Sequence, residues 1–277
     1  MLELEYAAAA ELAREAGRLV MDVYGSDFGV DFKTPTDPVT EADQRANELI
    51  VRGLRERFSS DGIVAEESPD HGDALSRKRC WFVDPLDGTK EFIAKNGEFS
   101  VMIGLTVEGR AVLGAVYQPV HDKLYMGVVG HGASLLQHGT RRDLTVSNVA
   151  APSALGFVGS RSHRSTASDE IVRRLGIVRQ TPSGSVGLKV GKIAERDADL
   201  YVHPSDRSSK WDACAPDAIL RAAGGHFTDM FGADIDYRGA QMANARGILA
   251  CNAVAFDAVL PVVRAVAIEA GFVERLR

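Results

Sequence analysis

An apolar run that stops on two carboxylates constrains this chain more than any other feature. Cys80-Trp81-Phe82-Val83 has the pattern of a buried strand and leads directly into Asp84-Pro85-Leu86-Asp87-Gly88-Thr89. Burial disfavours an ionised carboxylate, and a second acid three residues on adds repulsion unless something neutralises both. A hard cation with oxygen ligands is the natural partner. Pro85 fixes its own φ and holds Asp84 extended, so a stiff turn can aim both carboxylates and the carbonyl between them at one point. Gly88 permits close backbone approach, and a helix opening at Thr89 would offer free N–H groups suited to a phosphate. Taken alone, the same residues also suit a tight turn with Asp87 as a helix cap.

Composition narrows the alternatives. The chain has 277 residues, 45% hydrophobic and 25% charged, which excludes a disordered or collagen-like polymer and suffices for a sizeable core. Lys and Arg number 32 against 38 Asp and Glu, giving a net charge of -6. With no long basic run, nucleic acid is not an expected partner, whereas small phosphates remain open. Cys80, Cys214 and Cys251 are scattered and odd in number, the pattern of reduced thiols rather than a disulfide framework or zinc site. The start is acidic where a signal peptide is basic. No apolar stretch approaches the ~18 residues of a membrane span. A soluble cytoplasmic protein without membrane contact is expected.

Periodicity gives the organisation. Leu4, Ala8, Leu12, Ala16, Leu19, Val20 and Val23 predict a first amphipathic helix over 4–24, and Ala42, Ala46, Leu49, Ile50 and Leu54 a second over 40–58. Between them, residues 32–38 read as a loop or hairpin. Residues 63–65 form a short strand ending at Glu66-Glu67, and 100–107, 111–117 and 123–129 predict an antiparallel meander. Beyond about residue 150 strands and helices alternate. Strands are expected at 155–158, 200–202 and 248–250, and helices at 168–175, 186–195, 213–223 and 254–270. The chain is therefore α/β, with a division into residues 1–149 and 150–277.

Three other spots carry acids. Glu66-Glu67 follows a strand, Trp211-Asp212 opens a helix where Asp212 suits an N-cap, and Asp43 stands three after Thr40 in capping-box position. Each is weak alone. In this order, however, Thr40-Glu41-Ala42-Asp43, Glu66-Glu67, Asp84-Pro85-Leu86-Asp87-Gly88-Thr89 and Trp211-Asp212 resemble the inositol monophosphatase superfamily, magnesium-dependent and lithium-sensitive phosphomonoesterases. The resemblance covers residues 5–265. Ala65 departs from it, since many members have Gly before the Glu pair.

The resemblance implies a layered αβαβα sandwich of two subdomains, with the metal site between them and two or three Mg²⁺ ions bound. By motif, Glu66, Asp84 and the Leu86 carbonyl would hold one metal. Asp84 would bridge to a second, held also by Asp87 and by Asp212 from the second half. Thr89 and Asp43 would orient and deprotonate the attacking water, and Gly88 and Thr89 would donate N–H groups to the phosphate. Glu67 receives no role. Four clustered carboxylates would repel a phosphate dianion, so the cations are needed for binding as well as for chemistry.

Within the superfamily, Lys90-Glu91-Phe92, Ser160-Arg161-Ser162-His163, Gly184-Ser185-Val186-Gly187-Leu188-Lys189 and Lys210-Trp211-Asp212-Ala213-Cys214-Ala215-Pro216 look like the 3'(2'),5'-bisphosphate nucleotidase branch. Ser205 stands where inositol phosphatases often carry a Glu. A bisphosphate keeps one phosphate while losing the other, and Ser160, His163, Ser185 and Lys189 would hold the retained one. The implied reaction is hydrolysis of the 3'-phosphate of adenosine 3',5'-bisphosphate by metal-activated water to AMP and phosphate, with 3'-phosphoadenosine 5'-phosphosulfate as a second substrate and a place in sulfur assimilation. His203 and His226 receive no role. The alternatives are an inositol or other small sugar phosphatase on the same fold, or a pure binding protein, which would not need the Thr89–Asp43 pair. Aspartyl-phosphate phosphatases carry D-x-D-G-T, with one residue between the acids instead of two. Inositol phosphatases resemble dimers and nucleotidases monomers, so a monomer or homodimer is expected.

Overall fold

The computed structural model describes residues 2–34, 37–68 and 71–273. Helices α1 (Glu3–Tyr24) and α2 (Glu41–Arg57) form as the apolar spacing requires. Ala8, Leu12, Ala16, Val20 and Val23 of α1 and Ala42, Ala46, Ile50 and Leu54 of α2 are buried. The segment between them is a hairpin of β1 (Val30–Thr34) and β2 (Asp37–Thr40), antiparallel; its expected turn at Pro35 and Thr36 lies outside the described residues. Thr40 closes a full capping box with Asp43 at the start of α2.

The first sheet has seven strands in chain order: β3 (Gly62–Ala65), β4 (Arg79–Asp87), β5 (Ser100–Val107), β6 (Arg110–Gln118), β7 (Lys123–Val128), β8 (Gly132–Gln137) and β9 (Thr140–Leu144). Only β3 and β4 are parallel. The expected three-stranded meander thus runs on through β8 and β9. The edge strand β9 reads Thr-Arg-Arg-Asp-Leu with four exposed residues, a polar edge with no alternating signal.

The short helix α3 (Thr89–Ile93) follows β4. A second sheet orders its strands β11-β10-β12-β14-β13: β10 (Gly156–Ser160), β11 (Arg179–Ser183), β12 (Leu200–His203), β13 (His226–Thr228) and β14 (Ile248–Cys251). Strand β10 runs parallel to β11 and β12, and β14 antiparallel to β12 and β13. Strands β11 and β13 were not expected. The former contains Pro182, tolerated because β11 is an edge strand, and the latter has three residues.

Helices α4 (Thr166–Leu175), α5 (Val186–Ala194), α6 (Lys210–Ala222) and α7 (Phe256–Glu269) complete the chain. Side-chain alternation along the strands sorts them into layers. One face of the first sheet, with Trp81, Val83, Ile103 and Leu113, packs on α1 and α2. The other face, with Phe82, Met102 and Val116, meets α5 and α6, which also contact Val158, Tyr201 and Ile248 of the second sheet. Beyond it, Phe157, Leu200 and Leu249 meet α4 and α7. The expected αβαβα order is what these three cores describe.

One register feature sets how α6 lies. Gly104, Gly114 and Gly127 are direct partners across β5, β6 and β7. A Cβ at Gly104 would stand 2.6 Å from Cys214 Sγ, and one at Gly127 2.6 Å from the Ile219 Cα. At Gly114 it would run into the Ala215 carbonyl oxygen. The glycine row therefore lets α6 rest on the sheet backbone itself, and it does so a turn away from Asp212.

Candidate active site

Strand β4 delivers its acids through an irregular end. Asp84 pairs with Met102 and Asp87 with Ser100, with a register shift between them, where Pro85 has no N–H to give the ladder. The Leu86 N–H turns back to Asp84 Oδ1 at 3.0 Å. Gly88 then takes φ +97° as the N-cap of α3, a conformation that favours glycine. Asp87 points across to the first turn of α5, where its Oδ2 accepts from Ser185 Oγ at 2.5 Å and from the Gly187 N–H at 3.1 Å. Asp212 is the third residue of α6 and forms a capping box with Ser209, so it lies one turn inside the N-cap position that the sequence suggested. Carboxylate oxygens of Asp84, Asp87 and Asp212 all lie within 4.8 Å of one another.

Such a cluster is electrostatically costly. Burial, then the neighbouring carboxylates, push Asp84 well above the usual range, and Asp84 and Asp212 are hydrogen-bonded to each other. Burial and Asp87 push Asp212 up to about 7. Burial raises Glu66 to about 8 against the pull of Lys33, with Asp212 and Glu67 adding to the rise. Asp87 is also raised by burial, although Lys189 and its hydrogen bonds oppose this. The donors are hard oxygens, buried or half-buried and crowded by one another, which fits a hard divalent cation and not a soft metal.

Lys33 in β1 reaches Glu66 at 2.8 Å and Glu67 at 2.7 Å. Burial alone would lower its pKa, but the two glutamates outweigh this and raise it. Glu67, which the sequence left without a role, thus shares one lysine with Glu66. Lys33 itself was missed: a lone charge in an expected hairpin carries no pattern.

Thr89 and Asp43 meet as expected. Thr89 Oγ1 lies 3.1 Å from Asp43 Oδ1 and 3.3 Å from the Leu86 carbonyl. The other Asp43 oxygen accepts from the Thr40 N–H at 2.8 Å and from Thr40 Oγ1 at 2.6 Å. Asp43 is both a helix cap and a partner of Thr89. Its burial, at 1% exposure, pushes it up to about 6 despite the Thr40 bonds.

These groups open into a cleft of about 1140 Å³ lined from both sheets. Parallel strands β10, β11 and β12 end there, at the carboxyl ends where ligands gather in α/β sheets. Ser160 and His163 line it; Ser160 Oγ accepts from the His163 N–H at 3.2 Å, and the exposed His163 ring sits 3.4 Å from Lys90 Nζ. Arg161 is engaged by Glu98 at 2.6 and 2.7 Å. Lys189 is buried and donates to the Ser185 carbonyl at 2.9 Å. His203 also lines the cleft, and burial followed by Lys189 and His163 lowers it to about 4. Only its place at the end of an expected strand could have singled it out.

Layered fold and acid-lined cleft together define a phosphatase of the inositol monophosphatase family: residues 1–266 match that family, and the chain belongs to it. Among curated relatives it is 39% identical over 230 residues to the 3'(2'),5'-bisphosphate nucleotidase CysQ of Salmonella typhimurium, covering 82% of this chain and 91% of that one. Among solved structures, CysQ of Bacteroides thetaiotaomicron superposes with a TM-score of 0.75 at 29% identity, covering 89% of this chain and 97% of that one. The inositol monophosphatase of Anabaena (Nostoc) superposes at 0.78 with 26% identity, covering 95% and 96%. Among the described residues no helix is long and apolar enough to cross a membrane.

Proposed function

We propose that the protein removes the 3'-phosphate of adenosine 3',5'-bisphosphate, releasing AMP and phosphate. The observation that carries this is a cleft in which Asp84, Asp87, Asp212 and Thr89, the last backed by buried Asp43, share the lining with the Ser160–His163 segment. Similarity to CysQ nucleotidases supports the nucleotide as substrate. Glu66, Asp84, Asp87, Asp212 and the Leu86 carbonyl would hold two or three magnesium ions. Bound there, magnesium would lower the pKa of water and stabilise charge on the phosphoryl oxygens.

The chain's own groups do the rest. Thr89 Oγ1 gives its proton to Asp43 Oδ1 while accepting one from the attacking water, and Asp43, held near 6, is a base matched to neutral pH. Gly88 and Thr89 offer backbone N–H groups to the phosphate being cleaved. Lys90 and His163, neighbours in the cleft, would meet the second phosphate, Lys90 as its cation and His163 as a hydrogen-bond partner. 3'-Phosphoadenosine 5'-phosphosulfate would fit the same scheme and would give the protein a part in sulfur assimilation.

A second reading, an inositol or other small sugar phosphatase, is favoured by one observation. Ser185 and Lys189, expected on the retained phosphate, bond to other protein groups. Phosphate release from adenosine 3',5'-bisphosphate and inositol 1-phosphate, with and without Mg²⁺, separates the two. We expect Mg²⁺-dependent release with a large preference for the nucleotide. Preference for inositol 1-phosphate would overturn the substrate and retain the chemistry.

A further inference from the structure

Ser185 is the N-cap of α5 and adopts φ +47°, ψ 131° while 4% exposed. A non-glycine residue in that region is strained, and such strain persists only where the surroundings over-determine it. Its hydroxyl shows what does so. Ser185 Oγ lies 2.5 Å from Asp87 Oδ2, 2.9 Å from Ser100 Oγ and 3.1 Å from the Leu188 N. A serine hydroxyl has one proton to give and two lone pairs to receive. With the Asp87 carboxylate ionised, the Ser185 proton must go to it. The lone pairs then accept from the Leu188 N–H and from Ser100, which fixes the direction of the chain as Ser100 to Ser185 to Asp87. Although Ser185 lines the cleft, its hydroxyl has no hydrogen-bonding capacity left for a ligand.

The rest of the turn serves the same carboxylate. The Gly187 N–H reaches Asp87 Oδ2 at 3.1 Å, and Lys189 Nζ is anchored on the Ser185 carbonyl at 2.9 Å. Ser100 comes from β5, at the register position opposite Asp87. The start of α5, backed by the neighbouring strand β5, therefore converges on the acid that ends β4.

We infer that Ser185, backed by Ser100, is a positioning residue that locks the Asp87 carboxylate for cation binding and does not contact substrate. This rests on the proposed role of Asp87 as a magnesium ligand. Glycine would relieve the backbone but lose the hydroxyl; alanine would keep the strain and lose the hydroxyl. The two substitutions thus separate backbone strain from carboxylate alignment.

Mg²⁺ binding by titration calorimetry on the wild-type chain, Ser185→Ala, Ser185→Gly, Ser100→Ala and the double Ser100→Ala/Ser185→Ala variant tests the inference, with Tm recorded alongside. Loss of a hydrogen bond that orients a ligating carboxylate predicts Mg²⁺ affinity about tenfold or more weaker in both Ser185 variants. Ser185→Gly should be more stable than Ser185→Ala yet no better at binding, a split that a purely structural role would not produce. Ser100→Ala should weaken binding less, and the double variant should match Ser185→Ala. KM for adenosine 3',5'-bisphosphate at saturating Mg²⁺ should stay unchanged in every variant. Unchanged Mg²⁺ affinity with a raised KM would overturn the inference and return Ser185 to the substrate. A wild-type chain that binds no Mg²⁺ would overturn the metal reading itself, and this inference with it. Should the Ser185 variants fail to fold, Ser100→Ala carries the same test.

Discussion

Asp84 carries the sharpest conflict between stability and chemistry in the molecule. It is 1% exposed, bonded to the Leu86 N–H and crowded by Asp212 and Glu66. An isosteric amide keeps the shape and can still donate to Asp212, but it cannot ionise, so it removes the charge Asp84 takes on when it loses its proton, without a cavity. Asp84→Asn is therefore expected to raise the Tm of the metal-free protein at pH 8 while abolishing phosphate release, the trade-off of a site kept strained for function. Thermal melts in a chelator beside a phosphate assay read both; a lower Tm would show that the hydrogen bonds of the carboxylate outweigh its repulsion by the other acids. At this scale the sequence was most informative. Asp43, Asp84, Asp87, Thr89 and Asp212 were each visible because motif spacing survives without knowledge of packing. Lys33 and His203 were not, since a single charge or imidazole acquires meaning only from what the fold sets beside it.

Among elements, α6 depends on an absence of side chains. Gly104, Gly114 and Gly127 form one transverse row, and Gly114 faces the Ala215 carbonyl without room for a methyl group. Gly114→Ala must push α6 off the sheet. The expected cost is about 1–3 kcal/mol, the usual range for overpacking, measurable by denaturant unfolding. Because α6 carries Asp212, Mg²⁺ affinity should fall as well, although residue 114 lies outside the cleft. Stability lost with affinity intact would show that α6 slides without moving its first turn. Long periodic helices such as α1 and α2 were legible from their buried stripes. Strands β8, β9, β11 and β13 were not. β9 is polar, β13 has three residues, β11 is interrupted by Pro182, and β8 (Gly-Ala-Ser-Leu-Leu-Gln) lacks β-branched residues and alternation, so only pairing with a neighbour makes them strands. The row of glycines was equally hidden, because three scattered glycines become one feature only once the register aligns them.

For the whole molecule, the acids make stability depend on pH. Glu66, Asp212 and Asp43 are raised to about 8, 7 and 6 in the folded chain, against roughly 4 when unfolded. Between those limits the folded state binds more protons than the unfolded one. Stability of the metal-free protein is then expected to fall as pH rises from about 4 to about 8. Mg²⁺ should reverse the trend, since a cation displaces those protons and gains affinity as they leave. Melts across pH with chelator or with Mg²⁺ check the sign; a chelated Tm that climbs toward pH 8 would overturn it. The layer order could not be read from local pattern, because α5 and α6 follow strands of one sheet and pack between both.

The placement of Asp212 also has a consequence in time. Asp84 and Asp87 end a strand of the first sheet, while their third partner begins a helix far along the chain. Their repulsion does not arise until α6 docks, a contact between residues distant in sequence and slow to form for that reason. Docking of α6 thus meets an electrostatic barrier that earlier steps do not, and a divalent cation present during refolding should speed that late step above all others.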